Sequence, residues 1–113
     1  MAAVYVNNIV INAGANFAQT FNLESSDSNS ALDLTGYTVS AQMRKYAGSS
    51  TGTTFTSNII PPETLGKITI SLSSSQTSNL KPGRYVYDIV IDLGGEKTRV
   101  IEGMVLVREG VTR

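Results

Sequence analysis

A period-two alternation of apolar and polar residues recurs along most of this chain and constrains its fold more than any other feature. Residues 37–45 (YTVSAQMRK) place four apolar side chains on one face of an extended strand: Tyr37, Val39, Ala41 and Met43. Residues 84–93 repeat the pattern with Tyr85, Tyr87, Ile89, Ile91 and Leu93. Such alternation predicts half-buried antiparallel strands and argues against amphipathic helices.

Further short strands are predicted along the chain at residues 4–11, 17–23, 54–60, 67–72 and 98–108. Gly94-Gly95 between the last two strands is a strong signal for a two-residue hairpin. Gly103, inside the last strand, indicates a β-bulge or a close backbone approach. In residues 73–80 (SSSQTSNL), a serine cap followed by Gln76 predicts one short helical turn. About seven strands with regular turn signals predict a single all-β sandwich domain over residues 1–113.

The segment of residues 80–87 (LKPGRYVY) narrows the fold class further. Pro82 and Gly83 predict a tight turn, because proline fixes φ and glycine accepts a positive φ. A tyrosine just after such a turn is typical of the corner in immunoglobulin-like sandwiches, where its hydroxyl bonds back to nearby backbone. We therefore predict an immunoglobulin-like antiparallel β-sandwich with Pro82, Gly83 and Tyr85 as its structural corner.

Composition excludes most catalytic chemistry, and we predict that the chain is not an enzyme. It has no His and no Cys, which removes the commonest general base, zinc ligand and thiol nucleophile. Asp88 and Asp92 share a strand face but are read as solvated carboxylates. Residues 24–31 (ESSDSNSA) lack the glycine and terminal glutamate of a calcium loop, and residues 47–53 (AGSSTGT) lack the lysine of a phosphate loop. No catalytic, cofactor or metal residue is therefore predicted.

Charge and hydropathy also limit the partners. Nine basic and nine acidic residues cancel, so no concentrated basic face for nucleic acid is expected. No apolar run is long enough to span a membrane, and the N-terminus lacks the features of a signal peptide. The partners expected from the sequence are other proteins, with assembly in a cytoplasm.

Two segments carry apolar residues on both faces, at residues 4–11 and 98–108. In a two-layer sandwich one of those faces needs a cover, which is supplied by a loop or by another chain. The residues predicted to form a subunit interface are those on the outer faces of these strands and of the strand at residues 84–93. They are Val4, Tyr5, Val6, Val10, Val86, Val90, Val100, Met104 and Leu106. The N-terminal strand and the tail at residues 109–113 are candidates for contact with neighbouring subunits.

The motifs DLTGYTVSAQMRK, GKITISLSSSQTSNLKPGRYVYDIVI and RVIEGMVLV together resemble small structural proteins of tailed bacteriophages. In particular, residues 32–107 are similar to the immunoglobulin-like N-terminal domain of phage upper baseplate and tail-fibre-anchoring proteins. The resemblance implies a non-enzymatic virion component of the baseplate or tail, or an adaptor. Such a component contacts other virion proteins and is a homo-oligomer on the particle.

Two alternatives stay open at the level of the sequence. The first is a capsid decoration protein, since the modular baseplate proteins continue well beyond such a domain. The second is a receptor- or carbohydrate-binding sandwich, for which Tyr5, Tyr37 and Tyr46 are the aromatic residues to test.

Overall fold

The computed structural model describes residues 5–24 and 31–110. It contains nine strands in that part of the chain: β1 (Tyr5–Val6), β2 (Ile9–Asn12), β3 (Phe17–Asn22), β4 (Thr38–Arg44), β5 (Thr53–Thr54), β6 (Thr56–Ile59), β7 (Lys67–Leu72), β8 (Gly83–Leu93) and β9 (Glu96–Arg108). The larger sheet has the order β1-β9-β8-β4-β5, with β2 also pairing to β9, and the smaller sheet has the order β3-β7-β6. The predicted all-β sandwich is confirmed.

The core lies between the two sheets and is built from the alternating residues that the pattern predicted to face inward. On β7 these are Ile68, Ile70 and Leu72, and on β8 they are Tyr87, Ile89 and Ile91. Leu93, which shares their parity, is exposed because it ends the strand beside the turn. Burial of each such aliphatic side chain contributes about 1.5–3 kcal/mol to the free energy of unfolding.

β8 and β9 form the long central hairpin. Leu93 pairs with Glu96 across the Gly94-Gly95 turn, as the sequence predicts. Both glycines have positive φ, 60° and 93°, which residues with a β-carbon adopt only at a cost. The Asp92 carboxylate accepts a hydrogen bond from the Gly95 amide at 2.9 Å, so this acid stabilises the turn.

Phe55 marks the place where the chain crosses from one sheet to the other. It lies between β5 in the larger sheet and β6 in the smaller one, and its amide donates to the Ala41 carbonyl at 3.0 Å. Its buried ring packs against Phe17 and Tyr87, with centroid distances of 6.0 and 6.4 Å. The crossing thus ties both sheets to one aromatic cluster.

The predicted helical turn is present as α1 (Ser74–Ser78). The Ser73 hydroxyl accepts from the Gln76 amide, and the Gln76 side chain accepts from the Ser73 amide. Thr77 is fully buried and joins the helix to the turn between β2 and β3, through bonds with the Gly14 amide and the Ala15 carbonyl. A 3-10 helix over Glu63–Leu65 is also present and was not predicted from the sequence.

The N-terminal segment differs from the single strand expected at residues 4–11. It is divided into β1 and β2 by Asn7 and Asn8, and both parts pair with β9 in parallel, whereas the other strand pairs are antiparallel in the described part of the chain. The Asn8 side chain accepts from the Met104 amide at 3.0 Å in place of a ladder bond. Val4 lies outside the described residues, as do residues 25–30 of the predicted loop and residues 111–113 of the tail.

Candidate interaction surface

The outer face of the larger sheet is the surface on which most of the predicted interface residues lie. Strand register aligns them in rows across the sheet. The first row contains Val10, Leu106 and Arg84. The second contains Met104, Val86 and Arg44. The third contains Val6, Glu102, Asp88 and Gln42. We call these three rows the outer face.

Apolar side chains on the outer face are exposed to an unusual degree for residues of their size. Val6 is 76% exposed, Val10 50%, Met104 44% and Leu106 42%, while Val86 is half-buried among them. Single exposed apolar residues are ordinary, but a contiguous group on one sheet face indicates a place where another surface docks. The sequence-predicted interface residues are therefore brought together here, apart from the exceptions below.

Val100 does not belong to this surface, and its prediction as an outward-facing interface residue is wrong. It is fully buried, next to the equally buried Ile101. The ladder between β8 and β9 shifts register, with Ile89 opposite Ile101 but Val90 opposite Arg99, so Val100 is the extra residue of a β-bulge. Two consecutive residues therefore point inward, which strict alternation does not allow.

Gly103 is a position of close backbone approach, one of the two explanations that the sequence offered for it. A β-carbon at residue 103 would overlap the carbonyl of Asn7. The same Asn7 oxygen accepts a hydrogen bond from the Tyr87 hydroxyl, and the Asn7 amide donates to the Glu102 carbonyl at 3.0 Å. The absence of a side chain at Gly103 therefore allows Asn7, between β1 and β2, to pack directly against β9.

Val90 and Tyr5 are two further predicted interface residues that do not belong to the three rows. Val90 is half-buried on the same side of the sheet as the outer face, one row beyond Asp88, and lies opposite Arg99. Tyr5 pairs with Ile101 through its backbone, and its side chain lies outside the described part of the structure.

The predicted corner residues lie at the start of β8. The Tyr85 hydroxyl donates to the Lys81 carbonyl at 2.7 Å, four residues upstream, which is the backbone bond that defines a tyrosine corner. Gly83 has a φ of 141°, and Lys45 places its ammonium group 4.9 Å from the centre of the Tyr85 ring. These residues are engaged within the fold, so the corner stabilises the sandwich.

The charged groups of the outer face have an asymmetric arrangement. Arg84 and Arg44 lie in the first two rows, whereas Asp88 and Glu102 lie directly opposite each other in the third. Arg99 contacts Asp88 at 3.2 Å, and Arg44 donates to Gln42 and to the Ser49 carbonyl. Within residues 5–24 and 31–110, Arg84 makes no ion pair and its side chain no hydrogen bond. Glu102 was missed in the sequence, although it has the same parity as Met104 and Leu106.

A shallow groove of about 590 Å³ runs along this face beside the loop after β4. Tyr46, 63% exposed, lies at its wall together with Asp88, Arg99 and Glu102. Among the residues that the structure describes, no group of three or more potential metal-binding side chains occurs, and no helix is long and apolar enough to span a membrane.

Comparison with known proteins is informative about the fold. No protein-family model matches the chain, and no curated protein matches it. Among solved structures it is similar to InlP from Listeria monocytogenes, with a TM-score of 0.51 and 16% identity over 90% of this chain and 26% of that one. It is also similar to a family 123 glycoside hydrolase from Clostridium perfringens, with a TM-score of 0.47 and 14% identity over 96% of this chain and 24% of that one.

The chain thus spans about a quarter of the length of each of these two proteins. At this level of identity, the likeness to InlP concerns the β-sandwich fold alone. The weaker likeness to the hydrolase carries no argument about this chain.

Proposed function

We propose that this chain is a non-enzymatic structural module that acts through protein–protein contacts within the particle of a tailed phage, in its baseplate or tail or as an adaptor. The observation that carries the proposal is the contiguous apolar group on the outer face, formed by Val6, Val10, Val86, Met104 and Leu106. Localisation in the virion, after assembly in the host cytoplasm, follows from the same proposal.

Leaving these apolar side chains in water costs free energy. Removing apolar surface from water contributes about 25 cal/mol per Å², so a partner that covers this face gains free energy without any specific chemistry. The charged residues beside it, Arg84 in the first row and Asp88 and Glu102 in the third, would orient that partner, because ion pairs at an interface favour one register over others. An open surface that mixes apolar and charged side chains in this way suits a protein better than a small ligand.

The phage assignment is supported by the sequence resemblance, whose motifs occupy defined places in the fold. The Asp33-Leu34-Thr35-Gly36 entry precedes β4, where the Thr35 hydroxyl and amide both donate to the Asp33 carboxylate, at 2.6 and 3.0 Å. Both bonds lower the pKa of Asp33 below its ordinary value, and the bond from the Thr35 hydroxyl has the larger effect. Helix α1 and Tyr85 both lie within the second of the resembling motifs, residues 66–91.

A carbohydrate-binding module is the second candidate, and one observation favours it. Tyr46 exposes its ring beside the groove that also contains Asp88 and Arg99, and sugars stack on such rings while polar groups bind their hydroxyls. Tyr37, just before β4, is half-buried against the core and is a poor platform. A glycan array that retains the wild-type chain but not the Tyr46→Ala variant would favour this candidate over the structural module.

The experiment that tests the leading proposal is mass spectrometry of particles purified from the bacterium that carries the gene, after phage induction or infection. We expect the chain at a constant ratio to the major tail protein across the density-gradient fractions. Its presence only in unassembled lysate would contradict the proposal. A reconstruction of the intact particle would then distinguish a baseplate or tail position from capsid decoration.

A further inference from the structure

A cleft of about 200 Å³ lies at the corner end of the sandwich, between the loop that follows β4 and the link from α1 to β8. Three cationic side chains line this cleft, those of Arg44, Lys45 and Lys81, and none of the described residues that line it is acidic. We propose that the cleft binds a phosphate group, either as the free ion or as the monoester of a small molecule. The proposal goes beyond the role in protein contacts and does not depend on it.

The Arg44 guanidinium is held in place at the cleft by its own hairpin. It donates to the Ser49 carbonyl at 2.9 Å and to the Gln42 side-chain oxygen at 2.8 Å. It also packs against Gly52, where a β-carbon would lie 3.0 Å from both Cγ and Nη1 of the arginine. A guanidinium has several further N–H groups, so Arg44 can still donate to an oxyanion.

Lys45 and Lys81 are both held by the tyrosine corner. The Lys45 ammonium group lies 4.9 Å from the centre of the Tyr85 ring, and a β-carbon at Gly83 would lie 3.0 Å from that nitrogen. The Lys81 carbonyl accepts from the Tyr85 hydroxyl at 2.7 Å, so the corner also fixes the backbone of this lysine. Over the described part of the chain neither ammonium group forms an ion pair. Like charges around one cleft repel each other, and a bound anion removes that repulsion.

The loop at residues 47–53 provides part of the uncharged lining. Thr51, Gly52 and Thr53 line the cleft, as does Asn79 from the link before β8. The sequence predicted no phosphate loop in this segment because the segment has no lysine. The fold instead brings lysines to it, from the residue after β4 and from the corner. Hydroxyl groups beside convergent cations are donors that a tetrahedral phosphate accepts from.

The region around the cleft has an excess of positive charge. The row of Asp88 and Glu102 divides the molecule along its strands. On the corner side of that row the described residues include five cations and one carboxylate: Arg44, Lys45, Lys81, Arg84, Arg108 and Glu109. Because the whole chain has nine basic and nine acidic residues, this excess is offset elsewhere in the chain. A concave site within a positive region concentrates anions from solution.

The charge and the size of the cleft favour phosphate over other anions. A phosphate group carries a charge of about −1.5 to −2 at pH 7, which matches three cations better than the single charge of a carboxylate does. The volume of about 200 Å³ accommodates the phosphate and a small substituent. A nucleic acid would need a longer basic surface with stacking aromatic residues, and the Tyr85 ring is already covered by Lys45.

Titration of the isotope-labelled full chain with inorganic phosphate, followed by NMR at about pH 8 and constant ionic strength, tests the proposal. We expect the amide signals of Thr51, Gly52 and Lys81 to shift in a saturable way, with a Kd of about 1 mM, as a few charge-assisted hydrogen bonds at an open site provide. Acetate should bind at least about fivefold more weakly, because it carries one charge. Glycerol phosphate, with glycerol as its control, distinguishes the two sources: tighter binding than inorganic phosphate identifies a monoester, and equal or weaker binding identifies the free ion.

Variants that remove one positive charge locate the site. Lys45→Gln and Lys81→Gln should each raise the Kd for phosphate about fivefold or more. Lys67→Gln and Lys97→Gln make the same charge change at exposed positions away from the corner, and should leave the Kd unchanged within about twofold. The melting temperature of each variant shows whether the fold is retained.

Gly52→Ala distinguishes a built site from a merely basic surface, because it keeps every charge. The added methyl group displaces the Arg44 guanidinium and should raise the Kd about threefold or more. Gly48→Ala is the matched control, since its β-carbon would have only the Tyr46 ring nearby, at 3.9 Å.

Four outcomes would overturn the proposal. They are the absence of a saturable shift up to about 50 mM phosphate, acetate binding as tight as that of phosphate, equal weakening by Lys45→Gln and Lys67→Gln, and wild-type affinity in Gly52→Ala. None of these outcomes affects the detection of the chain in particles. Conversely, a chain that binds phosphate as described but is absent from particles would contradict the proposed function and leave the phosphate site standing.

Discussion

Gly103 lies so close to Asn7 that a β-carbon at residue 103 would overlap the Asn7 carbonyl oxygen. This contact joins the N-terminal segment to β9 at the point where the parallel ladder is interrupted. The Tyr87 hydroxyl donates to the same oxygen from the neighbouring strand. The position of β1 and β2, and with them Val6 and Val10 on the outer face, therefore depends on the absence of a side chain at residue 103.

Gly103→Ala is expected to lower the free energy of unfolding by about 2 kcal/mol, because the added methyl group meets backbone that cannot rotate away. Urea unfolding followed by circular dichroism measures the change. Gly48→Ala is the matched control, since its β-carbon would have only the Tyr46 ring as a neighbour, at 3.9 Å, and its φ is not positive. Equal stability of the two variants would show that β1 and β2 do not depend on the close approach.

Tyr85→Phe is expected to cost about 1 kcal/mol of stability, the typical net contribution of one hydrogen bond. The substitution removes the bond from the Tyr85 hydroxyl to the Lys81 carbonyl but keeps the ring beneath the Lys45 ammonium group. Tyr46→Phe serves as the control, because the Tyr46 side chain is exposed and outside the corner. Thermal unfolding of both variants gives the comparison, and an unchanged melting temperature for Tyr85→Phe would remove the stabilising role assigned to the corner.

Thr77→Val is expected to lower the free energy of unfolding by about 2 kcal/mol, since it removes two hydrogen bonds of the fully buried Thr77 hydroxyl, each contributing about 1 kcal/mol. The shape of the side chain is kept, but the Gly14 amide and the Ala15 carbonyl lose their bonds to the threonine hydroxyl, of 3.0 and 2.8 Å. Thr56→Val, at an exposed position on β6, makes the same chemical change without burial. Denaturant titrations should separate the two; if they coincide, α1 is not fastened to the β2–β3 turn through Thr77.

The sequence predicts the parts of this fold in which neighbouring residues alone determine whether a side chain faces the core or where the chain turns. The facing of β7 and β8, the Gly94-Gly95 hairpin and the Ser73–Gln76 cap follow from periodicity and turn chemistry, which act within a few residues. The burial of Val100 does not, because a bulge changes the register and reverses the alternation of every residue beyond it. Arg99 and Val100 therefore exchange the faces that simple counting assigns to them.

The candidate surface was predicted only in part, and for a related reason. Residues such as Met104 and Leu106 are recognisable as outward-facing from parity within one strand. Val10 lies beside Leu106, and so in the same row as Arg84, only because β2 pairs in parallel with β9. This pairing joins residues nearly 100 positions apart. No local pattern encodes that pairing. The acidic pair of Asp88 and Glu102 likewise becomes visible only once the hairpin register is known.

Alkaline pH is expected to destabilise the fold through Tyr87. Burial raises the pKa of Tyr87 from 10.0 to about 12, so the folded state favours the neutral phenol more than the unfolded state does. A group whose pKa is raised on folding contributes stability fully below its unfolded pKa, and this contribution is lost as pH rises through the folded value. The free energy of unfolding should therefore fall between about pH 10 and pH 12.

The Tyr87→Phe variant separates the titration of Tyr87 from the titration of the lysines, because the wild type and the variant have the same lysines. Below pH 9 the variant should be less stable by about 1 kcal/mol, because it lacks the hydrogen bond to Asn7. Above pH 10 the difference should shrink, since only the wild type has an unfolded state that gains from deprotonation at residue 87. Urea unfolding at intervals from pH 8 to pH 11.5 measures the difference, and a constant gap across that range would contradict the assignment of the alkaline transition to Tyr87.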